Sequence, residues 1–421
     1  MIQLIRGFKD ILPGEVELWQ WIECTARDLF EGFGFNEIRI PIMERTELFA
    51  RSIGEQTDIV EKEMYTFPDR KGEMVTLRPE ATASVVRAYV QHRLYAREPV
   101  QKFYTIGPMF RRERPQKGRY RQFYQINVEV FGVASALIDA QLILLLITLL
   151  ERLAVEDVHV HANSLGCPVC RPDFRKALSD YLAFRTDSLC SDCRRRSDKN
   201  PLRVLDCKVP GCRAAMEDAP AITDYLCGDC RQHFETFRSA LDDLSIAYVI
   251  DPRLVRGLDY YTRTTFEIQT GALGAQSAVA GGGRYDGLVK ALGGPEMPAT
   301  GFAIGFDRLA ELVAAGGKDL EKAPDLFIAA LGGESCQLAF RWICQLGLAG
   351  VRAEMEYGNK SLKSQMKRAN RLKAQRVLIV GENELASGVA TLRDMDTRNQ
   401  QQVPLSEVVE KIITFKGLPV A

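Results

Sequence analysis

Residues 103–132 read FYTIGPMFRRERPQKGRYRQFYQINVEVFG, and the rest of the 421-residue chain is organised around them. The second half of the stretch alternates strictly. Phe123, Gln125, Asn127, Glu129 and Phe131 fall on one face, and Tyr124, Ile126, Val128 and Val130 on the other. A period of two predicts a strand. Phe103, Tyr104 and Ile106 open a second strand-like run. Between the two stand Arg111, Arg112, Glu113, Arg114, Lys117, Arg119 and Arg121, with Pro115 and Gly118 breaking any ladder. The stretch predicts a hairpin whose even-numbered face seeks a core, while Gln125 and Glu129 point toward something polar. The arginine forks match phosphate oxygens two bonds at a time. A solvated charged loop is the bland alternative for such a run.

Outward from the hairpin, length and composition predict two or three soluble domains. The formal net charge is zero, so any nucleic-acid binding must come from local basic patches. The longest apolar run, Leu142–Leu150, is too short to span a bilayer and predicts a buried helix. The first residues lack a signal-peptide layout, so a cytoplasmic protein with no membrane partner is expected.

Toward the N-terminus, Glu15–Phe33 has the apolar spacing of an amphipathic helix, and Glu37–Met43 reads as a strand with Pro41 on an edge or at an interface. Met74–Arg78 reads as a strand running into a helix, where Glu80 suits a capping role in the first turn. After the helix predicted over Ser135–Leu153, His159 and His161 share a strand face with no third ligand near, and are read as structural. The pattern breaks from Ser164 to Ile246, which reads as a polar, helical insertion, and strand signals resume over Arg256–Gln269 and Ser277–Gly281. Gly281–Gly283 predicts close backbone approach or positive φ. Beyond a linker at Gly316–Pro324, strands and helices alternate, predicting a small α/β domain with a mostly parallel sheet. Its second helix carries Lys363, Lys367 and Arg371 in one stripe, beside Arg368, suited to gripping phosphates or simply facing solvent.

Several of these stretches together carry a family resemblance. FRRERPQKGRYRQFYQ and GFAIGFDRL resemble the second and third signatures of class II aminoacyl-tRNA synthetases. LVRGLDYYTRTTFEI, Leu254–Ile268, resembles a signature peculiar to the bacterial-type histidyl-tRNA synthetases, and LRPEATA at Leu77–Ala83 also fits. The resemblance covers essentially the whole chain. It implies an α+β fold, with a class II catalytic core on an antiparallel sheet over residues 1–163 and 247–316, a cysteine-rich insertion at 164–246 and an anticodon-binding α/β domain at 325–421. It further implies a homodimer formed around Pro41, ATP with Mg2+, L-histidine and histidine tRNA as partners. The implied reaction is two-step: formation of histidyl-adenylate, then transfer of histidine to the tRNA 3′ end.

The same resemblance distributes roles. Arg111 would hold the α-phosphate, with Arg119 and Arg308 on the distal phosphates and Phe123 and Arg308 sandwiching adenine. Arg256 would face the α-phosphate from the other side, where other class II members place a metal ion. Glu80, Thr82 and Gln125 would meet the substrate ammonium, Glu129 and Tyr261 the imidazole, and Tyr260 would close the pocket. Asp307 stands where many relatives carry Glu. A regulatory paralogue that serves histidine biosynthesis without aminoacylation is the rival reading. It typically lacks the histidine-specific signature, the insertion and the C-terminal domain, all of which this chain keeps. The tRNA-sensing domain of a stress kinase is excluded by the missing kinase motifs.

Of the 11 cysteines, eight lie between Cys167 and Cys230. Cys167, Cys170, Cys190 and Cys193 form two CxxC pairs at the spacing of a four-sulfur zinc site, and Cys207, Cys212, Cys227 and Cys230 could form a second. A structural zinc is therefore a candidate cofactor, with buried free thiols as the alternative. Histidine activation is expected to be independent of it.

Overall fold

A computed structural model describes residues 1–54, 57–115, 118–273, 278–317 and 320–417. Lys117 of the cationic run, Ser277, and Lys318 and Asp319 of the linker lie outside the described residues. The chain divides into two compact units, Met1–Asp319 and Leu320–Ala421.

In the first unit, β1 (Asn36–Glu37), β2 (Met43–Arg45), β3 (Tyr65–Pro68), β4 (Met74–Leu77), β5 (Gln101–Phe110), β6 (Gln122–Phe131), β7 (Val158–Ser164), β8 (Tyr248–Ile250), β9 (Thr262–Thr270), β10 (Ala278–Arg284) and β11 (Ala299–Gly305) make two sheets. The large one runs β1-β5-β6-β11-β10-β9-β7-β8, antiparallel throughout its centre and parallel only at its two ends. The small one runs β2-β4-β3. The quoted stretch is the β5–β6 hairpin, with Phe103 opposite Glu129 and Gly107 opposite Gln125.

The two faces of β6 divide as the alternation predicts. On the even face Tyr124 meets the edge of Trp19, from the helix Val16–Gly32, at 5.1 Å, while Ile126, Val128 and Val130 are fully buried. Trp19 also stacks on Phe306 at 4.3 Å, tying that helix to the one that opens after β11. On the odd face Phe131 stacks at 4.2 Å on Tyr89 of the helix Thr82–Gln91. Asn127 and Glu129 are buried on that same face, so its apolar end is roofed by a helix and its middle is polar.

The run Leu142–Leu150 lies inside the helix Leu137–Arg152. That helix also buries Asp139, which binds Arg284 Nε at 2.8 Å. Arg284 is fully buried and donates further to Asp286 and to the carbonyls of Val133 and Ser135. A buried charge is tolerable when it is paired, as Asp139 and Arg284 are.

Two strand expectations need correction. Glu37–Met43 is not one strand: β1 ends at Glu37 and β2 starts at Met43. Pro41 has no N–H to give a ladder. The carbonyls of Ile40 and Pro41 are instead bound by Arg78 Nη1 at 2.8 and 3.3 Å. Nor is Arg256–Gln269 a strand from its start, because β9 begins only at Thr262. Tyr260 and Tyr261 lie in the loop before it, and both line one cavity.

The second unit holds β12 (Leu326–Ala330), β13 (Ala353–Met355), β14 (Arg376–Val380), β15 (Val389–Asp394) and β16 (Gln400–Pro404) in the order β13-β12-β14-β15-β16. Its sheet is only half parallel, since β14, β15 and β16 pair antiparallel. Lys363, Lys367 and Arg371 are exposed on the helix Leu362–Arg371. Arg368 is instead half-buried and pairs with Glu354 and Glu356 at 3.3 and 3.2 Å.

Candidate active site

Opposite residues of antiparallel strands share a face, so strand register explains the cavity above the sheet. Glu129, Asn127 and Gln125 of β6 stand opposite Gly301, Ala303 and Gly305 of β11. Gly301 and Ala303 in turn face Gly283 and Gly281 of β10, which face Thr265 and Glu267 of β9. Two strands of small residues thus form a floor between two polar walls. A Cβ on Gly301 would come within 2.1 Å of a Glu129 carboxylate oxygen, and one on Gly281 within 2.3 Å of Arg256 Nη2. Close approach, anticipated from the glycine run for Gly281, is required at Gly301 as well.

Glu80, Thr82, Arg111, Arg119, Phe123, Gln125, Glu129, Arg256, Tyr260, Tyr261 and Arg308 all line this one cavity. They come from the β5–β6 hairpin, the start of the Thr82–Gln91 helix, the loop before β9 and the helix after β11.

One end is carboxylate and hydroxyl. Glu80 accepts the N–H groups of Thr82 and Ala83 at 2.7 and 2.9 Å, so it caps the helix as its position suggests and also faces the cavity. Burial pushes its carboxyl above the usual range. Glu129 accepts from Thr82 Oγ1 at 2.7 Å and from the Tyr285 hydroxyl. Burial pushes Glu129 up to about 8, against the pull of those two hydroxyl donors. Nearby Glu80 adds to the rise.

The other end is cationic. Arg111 Nε binds the Pro79 carbonyl at 2.9 Å, and its guanidinium lies 5.3 Å from the Phe123 ring centre. Arg119 binds Glu113 at 3.0 Å. Arg308 binds the Ala278 carbonyl at 2.8 Å; burial, and then the charge of Arg119, lower its pKa. Arg256 also lines the cavity and binds Glu267 at 2.7 Å. Gln125 Oε1, Asn127 Oδ1 and Arg256 Nε are buried without a hydrogen-bond partner among the described residues, as suits a cavity built to receive polar groups.

Sequence reasoning assigned no role to Tyr285, Glu267, Asn127 or Glu113, which also line the cavity. Asn127 shares the face already drawn through Gln125 and Glu129, so the signal was present. Glu267 sits in the quoted Leu254–Ile268 stretch, where its pairing with Arg256 depends on the intervening turn. Tyr285 follows the glycine strand and reaches Glu129 through register alone.

The cysteines group differently from the sequence expectation. Cys167 and Cys170 join Cys227 and Cys230, and Cys190 and Cys193 join Cys207 and Cys212. Cys167 and Cys170 precede the helix Arg171–Ala183 and Cys227 and Cys230 open Gly228–Asp243, whereas Cys190 and Cys193 open Ser191–Lys199. Helix packing rather than order along the chain sets the partners. Neither His159, bound to Asp157 at 2.9 Å, nor His161 joins a candidate metal group among the described residues.

The family model described as histidyl-tRNA synthetase matches residues 7–168 and 197–309, and that described as an anticodon-binding domain matches 325–414. A histidine–tRNA ligase of Desulfatibacillum aliphaticivorans is 66% identical over 412 residues, covering 98% of either chain. That of Geobacter sulfurreducens is 56% identical over 98% of this chain and 100% of its own. Among solved structures, apo histidyl-tRNA synthetase of S. aureus superposes with a TM-score of 0.83 at 34% identity, covering 98% of this chain and 100% of that one.

Proposed function

The chain belongs to the histidyl-tRNA synthetase family, and on that premise we propose how its cavity divides the work of joining histidine to tRNA. The enzyme is a histidine–tRNA ligase, and ATP with Mg2+ and a tRNA are its partners in the reaction. In the first step a carboxylate oxygen of histidine attacks the α-phosphorus of ATP. The bond to the bridging oxygen breaks, leaving histidyl-adenylate and pyrophosphate. In the second a hydroxyl at the tRNA 3′ end attacks the activated carbonyl and AMP departs. The attacking carboxylate is already ionised, so the first step needs alignment and charge stabilisation rather than a base.

The cationic end takes the nucleotide. Arg111 holds the α-phosphate, Arg119 and Arg308 the distal phosphates, and Phe123 with Arg308 stacks adenine. Glu113 and Glu267, which also line the cavity, would hold Mg2+, which would supply charge neutralisation for the phosphates when bound. Arg256 approaches the α-phosphate opposite Arg111, a fixed cation where charge builds up in the transition state. The other end takes histidine. Glu80, Thr82 and Gln125 receive the ammonium, Glu129 and Tyr261 the imidazole, and Tyr260 covers it. Polar partners buried for a polar side chain reject analogues lacking its groups by large factors.

The observation that carries this reading is a single cavity lined by both the buried carboxylates Glu80 and Glu129 and the arginines Arg111, Arg119, Arg256 and Arg308. Pyrophosphate exchange into ATP, run with each of the twenty amino acids, tests it. Histidine alone should support exchange; exchange with another amino acid in its place would refute the pocket assignment.

The second unit supplies an anticodon grip through Lys363, Lys367 and Arg371. The chain is a cytoplasmic homodimer, a reading supported by two features. Every cysteine among the described residues is free, and Ile42 and Met43, next to Pro41 in sequence, are 45% and 52% exposed. Light scattering on the purified protein reads the dimer directly. Among the described residues no helix is long and apolar enough to cross a membrane.

A further inference from the structure

The geometry of the insertion's cysteines is that of two metal centres. Within each group of four, all sulfurs lie within 4.8 Å of one another. Cys167 Sγ is 3.7 Å from Cys170 Sγ and 3.9 Å from Cys227 Sγ, and Cys190 Sγ is 4.0 Å from Cys207 Sγ. A tetrahedral zinc with bonds of about 2.3 Å requires sulfur–sulfur edges of about 3.75 Å. Disulfides require about 2.05 Å, and a multi-iron cluster spreads its ligands over different irons. Four sulfurs this close have room for one ion between them.

The surroundings suit thiolates. The Cys227 N–H donates to Cys170 Sγ and the Cys190 N–H to Cys212 Sγ, both at 3.1 Å. Cys190 and Cys227 stand at helix N-termini, where the backbone dipole favours negative charge. Cys193 and Cys212 are wholly buried in the insertion's own core, beside Leu189, Val204 and Met216, which fits a closed structural site with no open position for water.

The two centres would close loops that hold the active site from behind. The chain between Cys193 and Cys207 carries three outward bonds. Arg196 reaches Asp58 at 2.6 Å, Asn200 reaches Asp259 at 3.1 Å, and Arg203 Nη1 donates to the Arg256 carbonyl at 2.9 Å. Arg171, next to Cys170, binds the carbonyls of Leu165, at 3.1 Å, and of Tyr261. Val255 and Tyr261 also belong to the same apolar core as Leu178, Cys193 and Val204. These contacts run from the insertion to the segment that lines the cavity, and so connect the cysteine groups to histidine activation.

We propose that the insertion holds two structural zinc ions, one in each group of four cysteines. Through Arg203 and Arg171 they position the Arg256–Tyr261 segment. The second half rests on the reading of Arg256 and Tyr261 as substrate-handling residues; the first does not.

Metal analysis of the full-length protein, purified without added metal or chelator, decides the first half. Two zinc ions per chain are expected, and one or fewer overturns the claim. Zinc-site absorption after cobalt exchange should show tetrahedral thiolate ligation. For the second half, Arg203→Met leaves every ligand in place. It should keep two zinc ions while lowering kcat of histidine-dependent pyrophosphate exchange on the order of 10²-fold, the scale of a misplacement of about 1 Å. The KM for ATP should stay within a few-fold, and Arg203→Lys, which restores a donor, should recover part of kcat. Unchanged kcat in Arg203→Met overturns the positioning role. If that variant fails to fold, wild-type protein stripped of zinc and then reconstituted replaces it. Activation must fall and return with the metal, and activation that persists without zinc refutes the coupling. A wild-type protein that holds two zinc ions yet shows no histidine-dependent exchange would instead overturn the functional reading and leave the metal sites standing.

Discussion

Replacing Glu129 by glutamine keeps the shape of the imidazole pocket and removes its charge. Glu129 is 2% exposed and accepts from Thr82 and Tyr285, so the new amide stays between the same two hydroxyls. A hydrogen bond to a charged acceptor contributes about 1.5–3 kcal/mol, so kcat/KM for histidine should fall by about 10- to 150-fold. The pH dependence gives a sharper reading. Burial pushes the Glu129 carboxyl up to about 8 in the free site, and the ionised form is the stronger acceptor for an imidazole N–H. Wild-type kcat/KM should therefore climb with pH up to about 8 and then level off. Glu129→Gln should lose that limb, leaving only the ionisation of histidine itself. Stability should move the other way. A carboxyl whose folded pKa lies above its usual value contributes fully below about 4.5, and its contribution is lost as pH rises toward 8. The ligand-free variant should accordingly melt above wild type at pH 8.5 and level with it near pH 5. Initial rates of pyrophosphate exchange from pH 6 to 9, with melting curves alongside, check both. A variant with wild-type kcat/KM and an unchanged limb would refute the assignment of Glu129 to the imidazole.

Other outcomes follow from the same geometry. Arg256→His should slow adenylate formation by about two orders of magnitude, as loss of one preorganised donor does, with histidine affinity by calorimetry nearly unchanged. Gly301→Ala forces a methyl against Glu129 and the Val128 carbonyl, so histidine KM should rise at least about tenfold and stability fall by about 1–3 kcal/mol, read by kinetics and denaturant melts. Changing Lys363, Lys367 and Arg371 to glutamine should weaken tRNA binding and flatten its salt dependence by up to about three units of slope, while pyrophosphate exchange without tRNA stays as it was. If tRNA affinity and slope are unaltered, the stripe faces only solvent.

What could be read in advance was whatever depends on local period. The alternation of Phe123–Phe131 locates the central hairpin, and its odd face leads directly to Gln125 and Glu129. The capping position of Glu80 was visible because a carboxylate two and three residues ahead of free N–H groups has an obvious partner. What depends on contacts far apart in the chain was not visible. Tyr285 meets Glu129 only because β10 and β11 lie between β9 and β6. The sequential pairing of the CxxC motifs failed because Cys227 and Cys230 return on a later helix to meet Cys167 and Cys170. The antiparallel β15–β16 hairpin in the second unit escaped a reading that looked for βα alternation. The segment Arg256–Tyr261 alternates like a strand in sequence, yet it precedes β9, and Arg256, Leu258, Tyr260 and Tyr261 line one cavity.

The most direct test of the central claim is transfer of labelled histidine to the 3′ end of a histidine tRNA by the purified full-length protein. The ester should accumulate only when ATP and histidine are both present, and a tRNA whose terminal ribose lacks its hydroxyls should accept nothing. A protein that binds histidine yet leaves every tRNA uncharged would contradict the account and match the regulatory paralogue instead.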